Sequence, residues 1–372
     1  MANNSSTELL YRIALTLVPN IGSSLAKNLI AYCGSAEAVF KTTKGRLMKV
    51  PNIGEERAEA ILKADVMKEA EAEVKFISNY KITPLFFTDA AYPARLKECS
   101  DAPILLYFRG NADLNAQKTV AIVGTRRATD YGKEAAKKMI ETLAAHHVLI
   151  VSGLAYGIDI AAHHAALDNN LQTIGVLGHG LNTIYPKTHK ATAKKMIENG
   201  GLLTEYNSTT KMYPHNFADR NRIVAGISDA VVVIESAEDG GAVLTANIAN
   251  SYNRDVFALP GKTSDKFSKG CNALIKTNRA QLIETGEDLL KAMNWDIAAG
   301  NGAIKKKQRE LFLELNEDER TIHKLLAEAG EVEIEQLIEK SNMNSSVLAG
   351  ILLEMEMNDI ITALPGKRYK LV

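Results

Sequence analysis

The sequence predicts an α/β protein, a Rossmann-like parallel sheet standing between two small helical domains. Three observations carry that reading. From Thr119 onward, β-branched and apolar runs alternate with amphipathic helical patterns. Ahead of them a pentapeptide repeats within a helical stretch, and behind them three helical patterns precede a short hairpin. At ~150 residues per domain, a chain of 372 residues has room for all three parts.

Residues 1–80 read as helical. Val18-Pro19-Asn20-Ile21-Gly22 recurs as Val50-Pro51-Asn52-Ile53-Gly54, an offset of 32 residues. The match continues through Ala26 with Ala58, Leu29 with Ile61 and Ile30 with Leu62. Apolar residues three and four apart after each Gly give amphipathic helices, so the segment reads as a duplicated helix-hairpin-helix. Such a turn aims backbone N–H groups and a helix start at one point, which suits a phosphate. The first copy continues into Ser23-Ser24 with Lys27 nearby, the second into Glu55-Glu56, which would repel an anion. DNA contact through the first copy and simple closure of the small domain both remain open at this level.

Residues 81–117 read as a connecting segment packed on the core, punctuated by Pro84, Pro93 and Pro103. The sheet domain is expected over 118–295. Its strand runs are VAIVG, VLIVSG, TIGVLG, GLLTEY, AVVVIES and DVFALPG, with helices over 130–146, 155–169 and 187–199. Strands alternating with helices give a parallel sheet covered on both faces. Residues 296–315 (DIAAGNGAIKKKQRE and on) read as a linker, and 316–372 as a winged helix with Pro365-Gly366 at the hairpin tip. From 317 to 372 there are eleven acidic residues against six basic, and the expected third helix carries Glu354 and Glu356 but no Lys or Arg. Groove reading by that helix is not expected; contact with protein is.

Charge excludes one class of protein outright. Lys+Arg and Asp+Glu number 44 each, so a histone-like arm is ruled out and any polyanion must meet a local patch. Cys33, Cys99 and Cys271 form no CxxC pair, which argues against a disulfide framework or thiolate zinc site and for a reducing cytoplasm. The first eighteen residues lack the cationic opening of a signal peptide, and no apolar run is long enough for a membrane span.

In an open parallel sheet, ligands bind beyond the carboxyl ends of the strands. There the sequence places Gly124-Thr125-Arg126-Arg127, Ser152-Gly153-Leu154-Ala155, Gly178-His179-Gly180, and Glu235 followed by Gly240-Gly241 and Thr245. Glycines admit close approach of a ligand to backbone, and helix starts favour anions. Upstream of the AVVVIES run lies Phe217-Ala218-Asp219-Arg220-Asn221-Arg222. Guanidinium forks match phosphate oxygens, and an aromatic face stacks an unpaired base. By themselves these residues also suit a structural salt-bridge corner around a buried Phe217.

Other motifs are incomplete. Gly261-Lys262-Thr263 ends like a phosphate loop, but the earlier glycine position is Val256; Gly178-His179-Gly180 opens like a dinucleotide fingerprint, but its third glycine position is Thr183. Ser152, Asp159 and His163 lack the GxSxG context of a hydrolase, and the adjacent His163-His164 face different directions. Gly240-Gly241 with Thr245 is similar to the PGGxGTxxE motif of phosphoribohydrolases, an enzymatic alternative. No Pro precedes the glycines, and Ile248 stands where that motif has its glutamate.

Taken in order, GTRRATDYG, SGLAYGID, GHGLNTIYP, TEYN, FADRNRIVAGIS, ESAEDGGAVLTA, NRDVFALPG and GCNALI make residues 105–290 resemble the DprA (Smf) family of DNA-processing proteins. The resemblance implies a homodimeric, cofactor-free protein without catalysis, which binds and protects single-stranded DNA and helps load the RecA recombinase in natural transformation. It also implies that the hairpin repeat is the SAM-like module many members carry. The DNA pocket it implies uses Gly124, Thr125, Arg126, Arg127, Ser152, Gly153, Phe217, Arg220, Asn221 and Arg222, with Arg254 and Lys262 adding basic character. Three positions depart from the family pattern. Gly-Thr-Arg replaces Gly-Ser-Arg, Gly240-Gly241-Ala242 replaces Ser-Gly-Ser, and Lys276-Thr277-Asn278-Arg279-Ala280 replaces a Gly-Ala pair.

Overall fold

The computed structural model describes residues 2–296, 316–341, 343–358, 360–364 and 368–371. The expected linker beyond residue 296 and the hairpin tip at Pro365-Gly366 lie outside these. The chain divides into two compact units, Met1–Asp296 and Ile297–Val372.

The first unit opens with helices Ala2–Leu17, Ser23–Cys33, Ala36–Lys41, Lys44–Leu47, Glu55–Lys63 and Met67–Asn79. The repeated pentapeptide makes the same turn twice. Asn20 and Asn52 take left-handed backbone at φ 62° and 65°, a conformation Asn tolerates better than most side chains. Ile21 N then donates to Val18 O and Ile53 N to Val50 O, and each following helix opens from the carbonyl of Gly22 or Gly54. Ile13, Leu29, Val39 and Ile61 build the core of this layer.

The segment expected to connect the two parts does more than connect. β1 (Thr83–Phe86) and β2 (Leu105–Gly110) join the sheet antiparallel, β1 on β2 and β2 on β6 (Gly200–Thr204). Ile82, Phe86, Ile104, Leu105 and Tyr107 belong to the same buried cluster as the helices. The two added strands are therefore the surface on which the helical layer is seated. Buried Glu73 locks the seam by accepting hydrogen bonds from the backbone N–H and the hydroxyl of Ser208.

The remaining strands are β3 (Thr119–Val123), β4 (Leu149–Ser152), β5 (Thr173–Val176), β7 (Ala230–Val233), β8 (Asp255–Ala258) and β9 (Gln281–Leu282). Across the sheet they run β1-β2-β6-β5-β4-β3-β7-β8-β9, parallel from β6 to β9. The six expected strands are all present. β9, two residues long, carries too little apolar pattern to be read from sequence. Alternate residues of β3 face opposite cores: Ala121 and Val123 join the helix Gly241–Ser251, Val120 and Ile122 join Asp130–Ala144 and Ile158–Asp168. That period of two buries both faces.

Chain order reverses beside β3. The connections after β3, β4 and β5 step one way across the sheet, whereas β7 lies on the other side of β3, with Val123 in register with Val233. Helices leave β3 and β7 toward opposite faces, which opens a crevice between their carboxyl ends.

The second unit holds helices Glu317–Ala329, Ile334–Ser341 and Ser345–Met357 and strands β10 (Glu331–Glu333), β11 (Ile361–Leu364) and β12 (Arg368–Leu371), ordered β10-β12-β11. Ile322, Leu326, Leu337, Leu348, Leu352 and Met355 fill its core. Asn316 caps the first helix in a reciprocal pair with Glu319, and Asn344 caps the third.

His163 gives the first unit an acid-sensitive point. It is fully buried on the helix Ile158–Asp168, its Nδ1 lies 2.7 Å from Thr173 Oγ1, and burial pulls its pKa down to about 3. Between pH 6.5 and 3 the unfolded chain binds a proton there that the folded chain does not, so stability falls as pH falls, by at most ~1.4 kcal/mol per unit. Chemical denaturation of the wild type and His163→Gln across this range should show a shallower acid slope in the variant.

Candidate nucleic-acid interface

The turns that end β3, β4 and β7 are tied to one another by backbone. Thr125 N donates to Glu235 O at 2.7 Å, and Ile158 N donates to Thr125 O at 3.2 Å. Gly157 sits at φ +80°, and a Cβ there would come within 2.1 Å of Thr125 O, so only glycine closes this contact. Glu235 is turned inward: its carboxylate accepts hydrogen bonds from the Thr129 N–H and hydroxyl. It fixes the start of the helix Asp130–Ala144 and does not line the crevice.

Beneath these turns lies Arg220. Only 4 % of it is exposed, its Nη1 donates to Val176 O at 2.6 Å, and its Nε has no hydrogen-bond partner among the described residues. Burial lowers its pKa and the nearby Asp159 carboxylate opposes the shift; an arginine so placed keeps its charge at neutral pH. Asp159 accepts from the N–H groups of Gly153 at 3.1 Å and Ala155 at 3.4 Å, while burial raises its pKa against the pull of Arg220. A Cβ on Gly153 would fall 1.9 Å from Arg220 Nη1. The glycine is thus what lets the guanidinium pass under the β4 turn.

Above Arg220 the crevice widens to a cavity of about 230 Å³. Gly124, Thr125, Arg126, Gly153, Phe217, Arg220 and Asn221 of the expected site line it, with Gly240 and Gly241 at the start of an eleven-residue helix. Arg126 is exposed and its Cζ lies 6.0 Å from the Phe217 ring centroid, the outer reach of a cation–π contact. Phe217 is half-buried, 5.6 Å from Tyr185 and 6.5 Å edge-on from His179. The lip of the cavity is therefore an aromatic ring beside a cation, and its floor is a buried second cation.

Other expected residues stand elsewhere. The Ser152 hydroxyl is buried and donates to Ile122 O at 2.6 Å, serving the sheet. Arg222 pairs with Glu205 and donates to Asp101 O at 2.8 Å, away from the cavity lining. Arg254 donates to Arg95 O at 2.6 Å and pairs with Glu98 at 3.3 Å. Arg127 and Lys262 are exposed and line no part of it. The corner reading therefore describes Arg222, and the ligand reading suits Arg126 and Phe217. Asp159 and Tyr185 stand at the same strand ends but outside the expected DNA-binding set, because an Asp among glycine turns and one tyrosine among twelve carry no signal of their own.

The first hairpin turn is occupied differently. Ile21, Gly22 and Ser23 line a cavity of about 460 Å³ together with Pro103, Glu69 and Glu205. The two carboxylates oppose an anion at that helix start, and the turn faces the sheet domain. In the second copy, Lys44 bridges Glu55 and Glu59.

A switch-point cleft with a cationic floor and an aromatic lip, joined to a tandem hairpin domain and a winged helix, defines a nucleic-acid-binding class of protein. Comparison with known proteins narrows the class. Residues 83–294 match the DNA recombination-mediator protein A family, 13–64 a SAM-like helix-hairpin-helix tandem, and 311–367 the DprA winged helix domain. Protein Smf of Synechocystis is 31% identical over 98% of this chain and 99% of its own length. DNA processing protein DprA of Streptococcus pneumoniae is 35% identical over 67% of this chain and 93% of its own. The X-ray structure of the pneumococcal DprA superposes with a TM-score of 0.65 at 32% identity, covering 76% of this chain and 96% of that one. A DprA structure from Helicobacter pylori, described for its single-stranded DNA binding mode, has a TM-score of 0.53 at 30% identity, covering 59% and 98%. The chain belongs to the DprA/Smf family.

Gly153→Ala should force the Arg220 guanidinium off Val176 O and leave buried polar groups unpaired. The expected loss is ~1–3 kcal/mol of stability, read as a lower thermal midpoint than Ala substitution at exposed Gly241, where a Cβ meets nothing within 4 Å.

Proposed function

We propose that this chain is a cytoplasmic single-stranded-DNA-binding protein whose switch-point cleft holds one nucleotide of a bare strand. The observation that carries the reading is the exposed Arg126–Phe217 pair above buried Arg220 with its unpartnered Nε. Phosphate oxygens sit on Arg126 and the open start of the helix Gly241–Ser251, within the field of Arg220, and Phe217 with Tyr185 receives the unstacked base. A duplex is disfavoured because a paired base leaves its stack only at a cost. Asn221 also lines the cleft, its side-chain amide making no hydrogen bond among the described residues, and meets the base or sugar edge.

The reading is binding and not turnover. Among the described residues lining the cleft Asp159 is the sole carboxylate, and it is held by the Gly153 and Ala155 amides. The Thr245 hydroxyl is committed to Gly241 O at 3.1 Å, and Ile248 occupies the place of the phosphoribohydrolase glutamate. A glycosidic cleavage would have no acid–base pair. A recombination mediator also needs a recipient, which we take to be RecA, and coating a long strand through single clefts favours a homodimer. No described helix is long and apolar enough to cross a membrane.

Fluorescence anisotropy with a labelled oligonucleotide tests the cleft. Phe217→Ala should weaken single-strand binding by ~1–3 kcal/mol, and Arg126→Ala should lower the salt slope by ~0.7. Unchanged affinity and slope in both variants would remove the cleft from the account. For the oligomer, sedimentation at micromolar concentration should find a dimer; monomer alone would count against self-association.

A further inference from the structure

Four lysines beside the cleft make no ion pair among the described residues: Lys187, Lys190, Lys194 and Lys195, all exposed. Between Asp168 and Glu198 the chain contains no Asp or Glu at all. The helix Asp130–Ala144 is the contrast: there Lys133, Lys137 and Lys138 each face an acid about one turn away, Asp130, Glu141 and Glu134. Its surface is charge-balanced, whereas the helix Lys190–Glu198 and the turn before it set four lysines against Glu198 alone, one turn beyond Lys194, and are net positive.

Their spacing makes a line. The short 3-10 turn Lys187–His189 runs directly into the helix Lys190–Glu198, and positions 187, 190 and 194 are three and four apart, which sets them on one face. As the crossover from β5 to β6, the helix begins at the carboxyl rim of the sheet and runs back along its flank. The line therefore starts beside the cleft and leads away from it.

Aromatic rings join the line to the cleft. Tyr185, 49% exposed, lies 5.6 Å from Phe217 and two residues before Lys187. Tyr156, 47% exposed, follows the Ala155 that lines the cavity; its ring packs edge-on at 5.0 Å against His189, and its hydroxyl accepts from Thr188 Oγ1 at 3.4 Å. His189 Nδ1 in turn lies 2.9 Å from Leu154 O. The lysine turn and the β4 turn are thus one connected surface, with two open rings between cations. Interleaved rings and cations suit a flexible polyanion with exposed bases, and rigid duplex would leave the rings unused.

We propose that the helix Lys190–Glu198 is an exit track: single-stranded DNA leaving the cleft passes over Tyr185 and Tyr156 and lays its next phosphates along Lys190 and Lys194. This rests on the cleft reading above and adds the direction of the strand and a longer occluded length. The helix spans ~13 Å at 1.5 Å per residue, enough for more than one further phosphate. Contact through the track depends on strand length, whereas contact in the cleft does not.

The test compares full-length wild type, Lys190→Gln/Lys194→Gln and Arg126→Ala on oligothymidylates of about 5 and about 25 nucleotides, one near the short end of the ~4–16-nucleotide sites of single-strand binders and one beyond the long end. Both lysines are exposed, so the double variant should keep the wild-type melting curve. The track predicts that it binds the long strand about tenfold more weakly at low salt, with a salt slope lower by ~1.4, and binds the short strand as wild type does. Arg126→Ala should weaken both lengths. An unchanged long-strand affinity in the double variant, or equal losses on both lengths, would overturn the track while leaving the cleft standing. Loss in the double variant beside an unaffected Arg126→Ala would overturn the cleft and the continuity of the track with it.

Discussion

A guanidinium held under the β4 turn is the constraint from which the site follows. Arg220 is almost wholly out of water, and an unpaired charge in that position is strongly unfavourable. The protein answers with one carbonyl, Val176 O, and with the Asp159 carboxylate held nearby by two backbone amides. Fitting the group in requires glycine at 153, because any side chain there collides with it. What remains unanswered is Nε, and the crevice opens directly above. The same desolvation that makes Arg220 costly strengthens its field on whatever enters.

The architecture divides labour around that point. The sheet puts three turns on one rim, and the reversal of strand order beside β3 keeps helices from filling the gap. Glu235, at the carboxyl end of β7 where a ligand-facing group would stand, instead holds the Thr129 cap of the helix beyond β3. The helical layer is seated on β1 and β2, and its first hairpin turn shares an acidic cavity with the sheet domain. That turn has the backbone of an anion site in surroundings that oppose an anion, so it supports the fold. The winged helix, with its excess of acid and a third helix devoid of Lys and Arg, is poorly suited to a phosphate backbone.

Much of the fold was legible because its periodicities are strong. The six apolar runs became β3 to β8, and the repeated Val-Pro-Asn-Ile-Gly made two matching turns with Asn20 and Asn52 in left-handed backbone. β1 and β2 were hidden by their prolines, which read as punctuation although Pro84 sits on an edge strand where a missing N–H is tolerated. At the site, the glycine turns and the presence of Arg126 and Phe217 at the rim followed from motif and residue type, whereas their contact with each other did not. Nor did the roles of the other arginines. Arg220 and Arg222 are two residues apart in one motif, yet one lines the cleft floor and the other closes a largely buried ion pair with Glu205.

Residue order alone determined the alternation that makes a parallel sheet, the rim on which a ligand would lie, and the acid-free stretch from 169 to 197. Those are local properties, set by side-chain polarity and spacing along the backbone. Which charges are buried, which are paired, and which point into open space was decided only by tertiary structure. Desolvation and ion pairing depend on distances between segments far apart in the chain, such as Asp159 and Arg220 or Glu205 and Arg222, and no periodicity encodes those distances.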